Sequence, residues 1–317
     1  MQKVFCTYKL PDYVKKILNG YDIKMNDENR QLSKKEIIKN ASDVVAILSM
    51  LTDKIDKEVI DGCPKLKVIS NCAAGYDNID IDYARKKNIA VTNVPGVLTD
   101  ATADLAFGLL LATCRRIIEA DKFTREGRFV GWRYDLLQGM ELRDKTLGIV
   151  GMGRIGRAVA KRALAFGMNI LYHNRRPLSE EIEQKLTARY VSLEKLLKES
   201  DIISLHVPLT EETHHLLSKK RLQMIKKTAY LINTSRGPVI DEKALIENLE
   251  NNEIAGAGLD VYENEPDVPE ALKKLQNVVL LPHIGSATKE TRKNMLLKAA
   301  QNIKSILNKR KPFSRVV

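Results

Sequence analysis

The chain has 317 residues, is 44% hydrophobic and 29% charged, and carries a formal net charge of +12. That length exceeds what one core usually serves, so two domains are expected. No apolar run reaches the ~18 residues a membrane span needs, and the N-terminal stretch MQKVFCTYKL lacks the long apolar core of a signal peptide. A cytoplasmic location without membrane contact is therefore expected. Most Lys and Arg alternate with acids on helical patterns, and aromatics make up only 5%, so no nucleic-acid surface is expected. The basic excess suits small anionic ligands instead. Cys6, Cys63, Cys72 and Cys114 have no metal-ligand spacing. They read as buried free thiols, and no metal site is expected.

The first third alternates short apolar runs with helical patterns. Strands are expected over 3–7, 44–48, 67–71 and 89–91, with helices over 13–18 and 56–63. Such alternation points to a small parallel α/β domain. The loop Cys72-Ala-Ala-Gly75-Tyr-Asp77-Asn78 follows one of these strands. Small residues there suit a backbone anion site, and suit a plain strand-to-helix loop about equally. After the turn signal Asn93-Val-Pro95-Gly96 comes a mostly apolar helix over 100–114, expected to cross and pack between domains. A polar loop over 127–139 holds the only tryptophan, Trp132.

The stretch Thr146-Leu-Gly-Ile-Val-Gly-Met-Gly-Arg-Ile-Gly156 then organises the rest. An apolar run leads into Gly151-x-Gly153-x-x-Gly156, a helical pattern follows to about Phe166, and a second apolar run spans 169–173. This is strand, tight turn, helix, strand, the context a dinucleotide-binding glycine motif requires. Gly151 turns the chain out of the strand, Gly153 leaves the backbone bare for a pyrophosphate, and Gly156 lets helix and strand lie close. The N-terminus of the new helix faces the phosphates. Strands near 147, 169, 189, 202, 230, 255 and 279 complete a doubly wound sheet. The last helix, 288 to about 307, is expected to return to the N-terminal domain. Expected domains are therefore 1–98 with 286–317, discontinuous, and 99–285.

The second strand of this unit ends Leu171-Tyr-His-Asn-Arg-Arg176. An NAD site needs an acid ~20 residues past the glycines to bind the ribose hydroxyls. None lies between Gly151 and Arg176; the first is Glu180. Arg175 and Arg176 can pair with a 2′-phosphate, and Asn174 can donate to it or to the ribose. An Arg-Arg pair is also a common solvated loop feature. The missing acid favours NADP(H) over NAD(H), with NAD(H) left open and Arg175 the stronger contact.

Three polar groups fall at the carboxyl ends of successive strands: Arg236, Glu265 just beyond Asp260, and His283. A histidine with a carboxylate partner can hold a proton near neutral pH. A nearby arginine can grip a carboxylate and polarise a carbonyl. That set suits reduction of a 2-keto acid. Each residue alone has a bland reading, and only their joint placement at one sheet edge favours catalysis.

These residues resemble the D-isomer-specific 2-hydroxyacid dehydrogenases. The likeness is carried by Gly151-Met-Gly-Arg-Ile-Gly156, Asn233-Thr-Ser-Arg236-Gly-Pro-Val-Ile-Asp241, Gly258-Leu-Asp260-Val-Tyr-Glu-Asn-Glu265-Pro266 and Pro282-His283-Ile-Gly-Ser-Ala-Thr288, in order along nearly the whole chain. The resemblance implies two doubly wound parallel domains, a Rossmann nucleotide-binding domain and a smaller flavodoxin-like substrate domain. It implies that Arg236 binds the substrate's carboxylate and carbonyl, and that Glu265 supports His283, the general acid/base. It implies that the backbone at Ala74 and Gly75 holds the carboxylate, with Leu51 and Ser286 nearby. The implied cofactor contacts are Thr102, Gly151, Met152, Gly153, Arg154, Ile155, Gly156, Asn174, Arg175, Arg176, Val207, Pro208, Thr234, Ser235, Arg236, Asp260, His283 and Gly285. Ala73 stands where the family's pattern has a glycine. The segments 109–116 and 283–288 most resemble glyoxylate/hydroxypyruvate reductases, which implies a homodimer through the 101–114 helix and the Trp132 loop. The alternatives are a D-3-phosphoglycerate or D-lactate dehydrogenase, or a non-catalytic nucleotide-sensing co-repressor. No appended regulatory domain is expected past Val317.

Overall fold

A computed structural model describes every residue except Asn29. The chain divides into two compact units, Met1–Leu98 with Ser286–Val317, and Thr99–Gly285.

The first unit is built on a five-stranded parallel sheet: β1 (Lys3–Cys6), β2 (Asp22–Met25), β3 (Ala46–Ser49), β4 (Val68–Asn71) and β5 (Ala90–Thr92), in the order β2-β1-β3-β4-β5. β3 and β4 are buried along their whole length, as expected where helices cover both faces of a parallel sheet. β2 is the strand that sequence patterning missed. It lies at the edge, its residues Asp-Ile-Lys-Met alternate exposed and half-buried, and no apolar run announces it. The short helices Lys34–Ala41 and Ile81–Lys86 were also not legible as apolar runs. Their caps fix them: Ser33 forms a capping box with Glu36, and Asp80 accepts from the Tyr83 N–H.

The C-terminal helix Lys289–Leu307, capped by Thr288, belongs to this unit. Its Met295, Ala299, Ala300 and Ile303 are buried with Val4, Leu48 and Val68. Ser70 on β4 donates to the Ala299 carbonyl at 2.9 Å. The alanines let the helix lie close to the sheet, and the chain ends in reach of β5, where the Val91 N–H donates to the Val317 carbonyl at 3.1 Å.

The second unit carries a seven-stranded parallel sheet: β6 (Thr146–Val150), β7 (Asn169–His173), β8 (Ala188–Tyr190), β9 (Ile202–Leu205), β10 (Tyr230–Asn233), β11 (Gly256–Leu259) and β12 (Val278–Leu280). Their order is β12-β11-β10-β9-β6-β7-β8. Each sits where the apolar runs placed it. The order reverses between β6 and β9, which opens a crevice beyond their carboxyl ends. The helix Thr99–Cys114 was expected to pack between domains. Within the second unit its Ala103, Ala106 and Leu110 share the core with Leu147, Ile149 and Ile232. Gly258 on β11 makes room for it, since a Cβ there would stand 2.7 Å from Leu109. All four cysteines are free and buried. Burial pushes the thiols of Cys6, Cys72 and Cys114 up to about 12, so they stay protonated and unreactive.

Candidate active site

The turn after β6 lies at the point where the strand order reverses. Gly151 has φ +98°, and a Cβ there would meet the His206 carbonyl oxygen at 2.6 Å. A Cβ on Gly156 would meet the Gly151 carbonyl oxygen at 2.3 Å, so the helix Arg154–Ala165 can seat on the turn only without one. Gly153 is different: nothing lies within 4 Å of its absent side chain. Two glycines are thus required by the protein itself, and the third leaves bare backbone facing open space at a helix N-terminus. That is the cradle a pyrophosphate needs.

Around this turn stand several of the residues expected to line a cofactor. Met152 is buried, and its N–H donates to Asn174 Oδ1 at 2.7 Å. Asn174 therefore braces the glycine turn. Arg154 and Ile155 open the helix. Val207 packs against Gly151, and Pro208 follows it on the loop after β9. Arg175 and Arg176 are exposed and make no ion pair among the described residues. A Thr210 hydroxyl hydrogen bond and, more weakly, the Arg175 charge hold the Glu212 carboxyl below its usual range.

The loops after β10, β11 and β12 come from three adjacent strands. Beyond β10, the fully buried Asn233 ties the turn: its Oδ1 accepts from the Ser235 N–H at 3.0 Å and its Nδ2 donates to the Arg236 carbonyl at 2.9 Å. Arg236 leaves this turn in an extended conformation, with its guanidinium donating to the Ser235 carbonyl at 2.8 Å. Beyond β11, Glu265 accepts from the Tyr262 N–H at 3.2 Å through Oε1. Its Oε2 stands 2.7 Å from His283 Nδ1. A carboxylate can only accept, so Nδ1 carries the proton of that bond and Nε2 is left for a ligand.

Beyond β12, His283 sits at φ +52°, a left-handed conformation rare for a residue with a Cβ. Asp260, buried at the end of β11, holds it there. Its two oxygens accept from the Ile284 N–H at 2.7 Å and the Gly285 N–H at 2.8 Å. Burial pushes the Asp260 carboxyl up, against these bonds and the His283 field. Asp260, one of the expected cofactor contacts, thus braces the turn that presents His283. The bracing roles of Asn233 and Tyr262, whose hydroxyl donates to the Leu281 carbonyl at 2.8 Å, went unread because no motif marks them.

The fit of a nicotinamide dinucleotide can be judged from this unit alone. Thr234, at the end of β10, is 8% exposed, and its Oγ1 has no hydrogen-bond partner among the described residues. A buried hydroxyl left without a partner costs about 1–3 kcal/mol, which a bound polar group would offset. Thr102 packs beside Gly285, 3.4 Å from where a Cβ would stand. Orphan hydroxyl, bare glycine backbone and exposed arginines all lie on loops at the carboxyl edge of one sheet, and they fit such a group.

The first unit, taken by itself, carries the other candidate segment. Asn93 donates to the Ala74 carbonyl at 2.7 Å, and Asn71 to the Gly75 carbonyl at 2.9 Å. A trans peptide points its N–H away from its carbonyl, so the N–H groups of Gly75 and Tyr76 turn away from those asparagines. Among the described residues they donate to no carbonyl. Leu51 lies on the loop after β3, half-buried, and Ser286 precedes the C-terminal helix.

Fold and edge chemistry together define a dinucleotide-binding oxidoreductase. A family model described as "D-isomer specific 2-hydroxyacid dehydrogenase, NAD binding domain" matches residues 107–285. A glyoxylate reductase of Thermococcus litoralis is 52% identical over 306 residues, covering 95% of this chain and 92% of that protein. The crystal structure of the TT0316 protein from Thermus thermophilus superposes with a TM-score of 0.93 at 44% identity, covering all of both chains. An NADPH-dependent glyoxylate/hydroxypyruvate reductase from Sinorhizobium meliloti, solved with NADP and malonate, has a TM-score of 0.89 at 34% identity, covering 100% of this chain and 97% of that one. The chain belongs to the D-isomer specific 2-hydroxyacid dehydrogenase family.

Proposed function

We propose that the protein reduces glyoxylate or hydroxypyruvate to the D-2-hydroxy acid, with NADPH as the preferred reductant. The observation that carries this reading is the His283–Glu265 pair, 2.7 Å apart, on the loops after β12 and β11, with Arg236 on the loop after β10, the next strand of the same sheet. When bound, the nicotinamide cofactor supplies the hydride. The protein's own residues do the rest. Glu265 fixes the imidazole through Nδ1, so Nε2 presents the proton that the carbonyl oxygen takes up as it becomes a hydroxyl. Arg236 grips the keto acid and draws charge onto that oxygen. Thr234, Ser235, Asp260 and Gly285 belong to the nicotinamide end of the site, Gly153 and Arg154 to the pyrophosphate. Leu51, Ala74, Gly75 and Ser286 are assigned to the substrate on family resemblance.

NADPH preference rests on the loop after β7. With no acid there to repel a 2′-phosphate and Arg175 exposed, charge-assisted contacts of ~1.5–3 kcal/mol imply a preference of roughly 10- to 150-fold in kcat/KM. A side-by-side steady-state assay with glyoxylate, NADPH and NADH tests both claims. No turnover with either cofactor sinks the function, and equal efficiency sinks the preference. The intact trio argues against a non-catalytic sensor, which has no use for a positioned proton donor.

We also assign a homodimer. Val130, Trp132 and Tyr134 are 91%, 81% and 82% exposed on one loop, beside the exposed Phe129. So much exposed apolar and aromatic surface in one segment marks an interaction surface, and a second copy is the partner the family resemblance supplies. Light scattering at micromolar concentration should give about twice the 35.8 kDa chain mass; a monomer mass refutes it.

A further inference from the structure

Behind the loops that carry Arg236 and Glu265 lies a second set of polar contacts that the proposed reaction does not use directly. The Glu242 N–H donates to Glu263 Oε2 at 3.2 Å, and the Glu263 N–H donates to Glu242 Oε1 at 3.1 Å. The two glutamates thus hold each other's backbones reciprocally. The other oxygen of Glu263 lies 3.0 Å from His215 Nε2. His215 in turn is fastened by its own N–H to the Pro238 carbonyl at 2.8 Å, in a left-handed conformation with φ +47°. Two residues on, the Leu217 N–H donates to the Val239 carbonyl at 3.0 Å.

Position in the chain gives these bonds their meaning. Pro238 stands two residues after Arg236, and Glu263 two residues before Glu265. Gly237 lies between, pressed so close to the Tyr262–Glu263 peptide that a Cβ would fall 1.9 Å from it. The segment bearing the arginine and the loop bearing the carboxylate are therefore in backbone contact, and three side chains lock them. Glu242 is 9% exposed, at the first turn of the helix Glu242–Glu250. Burial, with the neighbouring Glu263, pushes its carboxyl up. A buried acid beside a second acid is costly, and the reciprocal N–H bonds offset that cost.

His214 stacks on His215, with ring centroids 4.1 Å apart and planes 26° apart. In-plane lone pairs of two such rings do not converge on a point ~2 Å from both nitrogens, as a metal ion requires. The cluster His214, His215 and Glu263 reads as a packed brace rather than an ion site.

We propose that Glu263, Glu242 and His215 form a clasp of positioning residues that sets the spacing between Arg236 and the Glu265–His283 pair. The clasp rests on the functional reading above. Small errors of placement are expensive in such a site, where a displacement of ~1 Å can cost ~10²-fold. Glu263→Ala should lower kcat with glyoxylate by about 10- to 100-fold while the NADPH Kd stays within about twofold. Glu263→Gln keeps an acceptor for the Glu242 N–H and should recover turnover to within about threefold of the parent. Combined with Arg236→Lys, Glu263→Ala should cost less than the product of the two single losses, because both act through one arrangement. Amide hydrogen exchange over 236–240 and 262–267 should speed up in Glu263→Ala. Full turnover in Glu263→Ala, a matching loss of NADPH affinity, or unchanged exchange overturns the clasp. If Glu263→Ala does not fold, His215→Ala, which removes the ring from Glu263, carries the same exchange and kinetic comparison. If the parent protein reduces neither keto acid, the functional reading fails, and the exchange rates still decide the clasp.

Discussion

The turn after β6 and the loops after β10–β12 share one sheet edge but are made by opposite means. At the glycine turn the backbone is the instrument. Gly151 and Gly156 are there because no Cβ fits, and Gly153 leaves the chain bare with no protein atom within 4 Å of where a Cβ would stand. At the other loops side chains are the instrument, and the backbone is bent to serve them. His283 is held left-handed by Asp260, Arg236 is launched by a turn that Asn233 ties, and Glu265 is braced by the Tyr262 N–H. A backbone site tolerates no added atom. A side-chain site tolerates change in the brace only as far as the reacting group stays in place.

The largest expected effect breaks the second region at its centre. His283→Ala should cut turnover by ~10²-fold or more, because it removes the proposed proton donor. NADPH binding should survive, since the glycine turn is untouched. Near-parental turnover would remove His283 from the mechanism.

The same contrast explains what could be read in advance. The glycine motif was legible because steric demands at Gly151 and Gly156 leave one residue type and a fixed spacing. The strands of the second sheet were legible as buried apolar runs, all seven near their expected positions. β2 was not, because an edge strand half in solvent needs no apolar run. Arg236, Glu265 and His283 could be named because they follow three such runs. The bracing roles of their neighbours could not. Asn233, Asp260, Glu242 and Glu263 are polar residues near strand or helix ends, and their hydrogen bonds to chain segments 2 to 25 residues away leave no periodic trace.

The next effect separates the glycines from one another. Gly156→Ala would place a Cβ 2.3 Å from the Gly151 carbonyl oxygen. Relieving that clash costs about 1–3 kcal/mol, so both the melting temperature and the NADPH affinity should fall. Gly153→Ala meets no protein atom within 4 Å. It should melt like the parent and still bind NADPH roughly 10-fold more weakly, measured by fluorescence titration. Parental affinity in Gly153→Ala would mean that the pyrophosphate does not lie on that backbone.

The smallest effect probes the rim of the glycine turn, where side chains return. Arg175 is exposed, and its charge is the least of the causes, after the Thr210 hydroxyl bond at 2.7 Å, that hold the Glu212 carboxyl below its usual range. A 2′-phosphate drawn to Arg175 would therefore arrive beside a like charge. Arg175→Ala should lower the NADPH-over-NADH ratio in kcat/KM about 10-fold or more, with NADH kinetics nearly unchanged. Glu212→Gln should move the ratio the other way, by about twofold, because it removes repulsion and leaves the arginine. Both sites are solvated, so the Glu212 effect should fade as ionic strength approaches ~1 M, where the Debye length is ~3 Å. A Glu212→Gln enzyme whose ratio falls, or whose gain persists at high salt, would show that the phosphate does not sit between these two charges. An unchanged ratio in Arg175→Ala would move the recognition to Arg176 or Asn174.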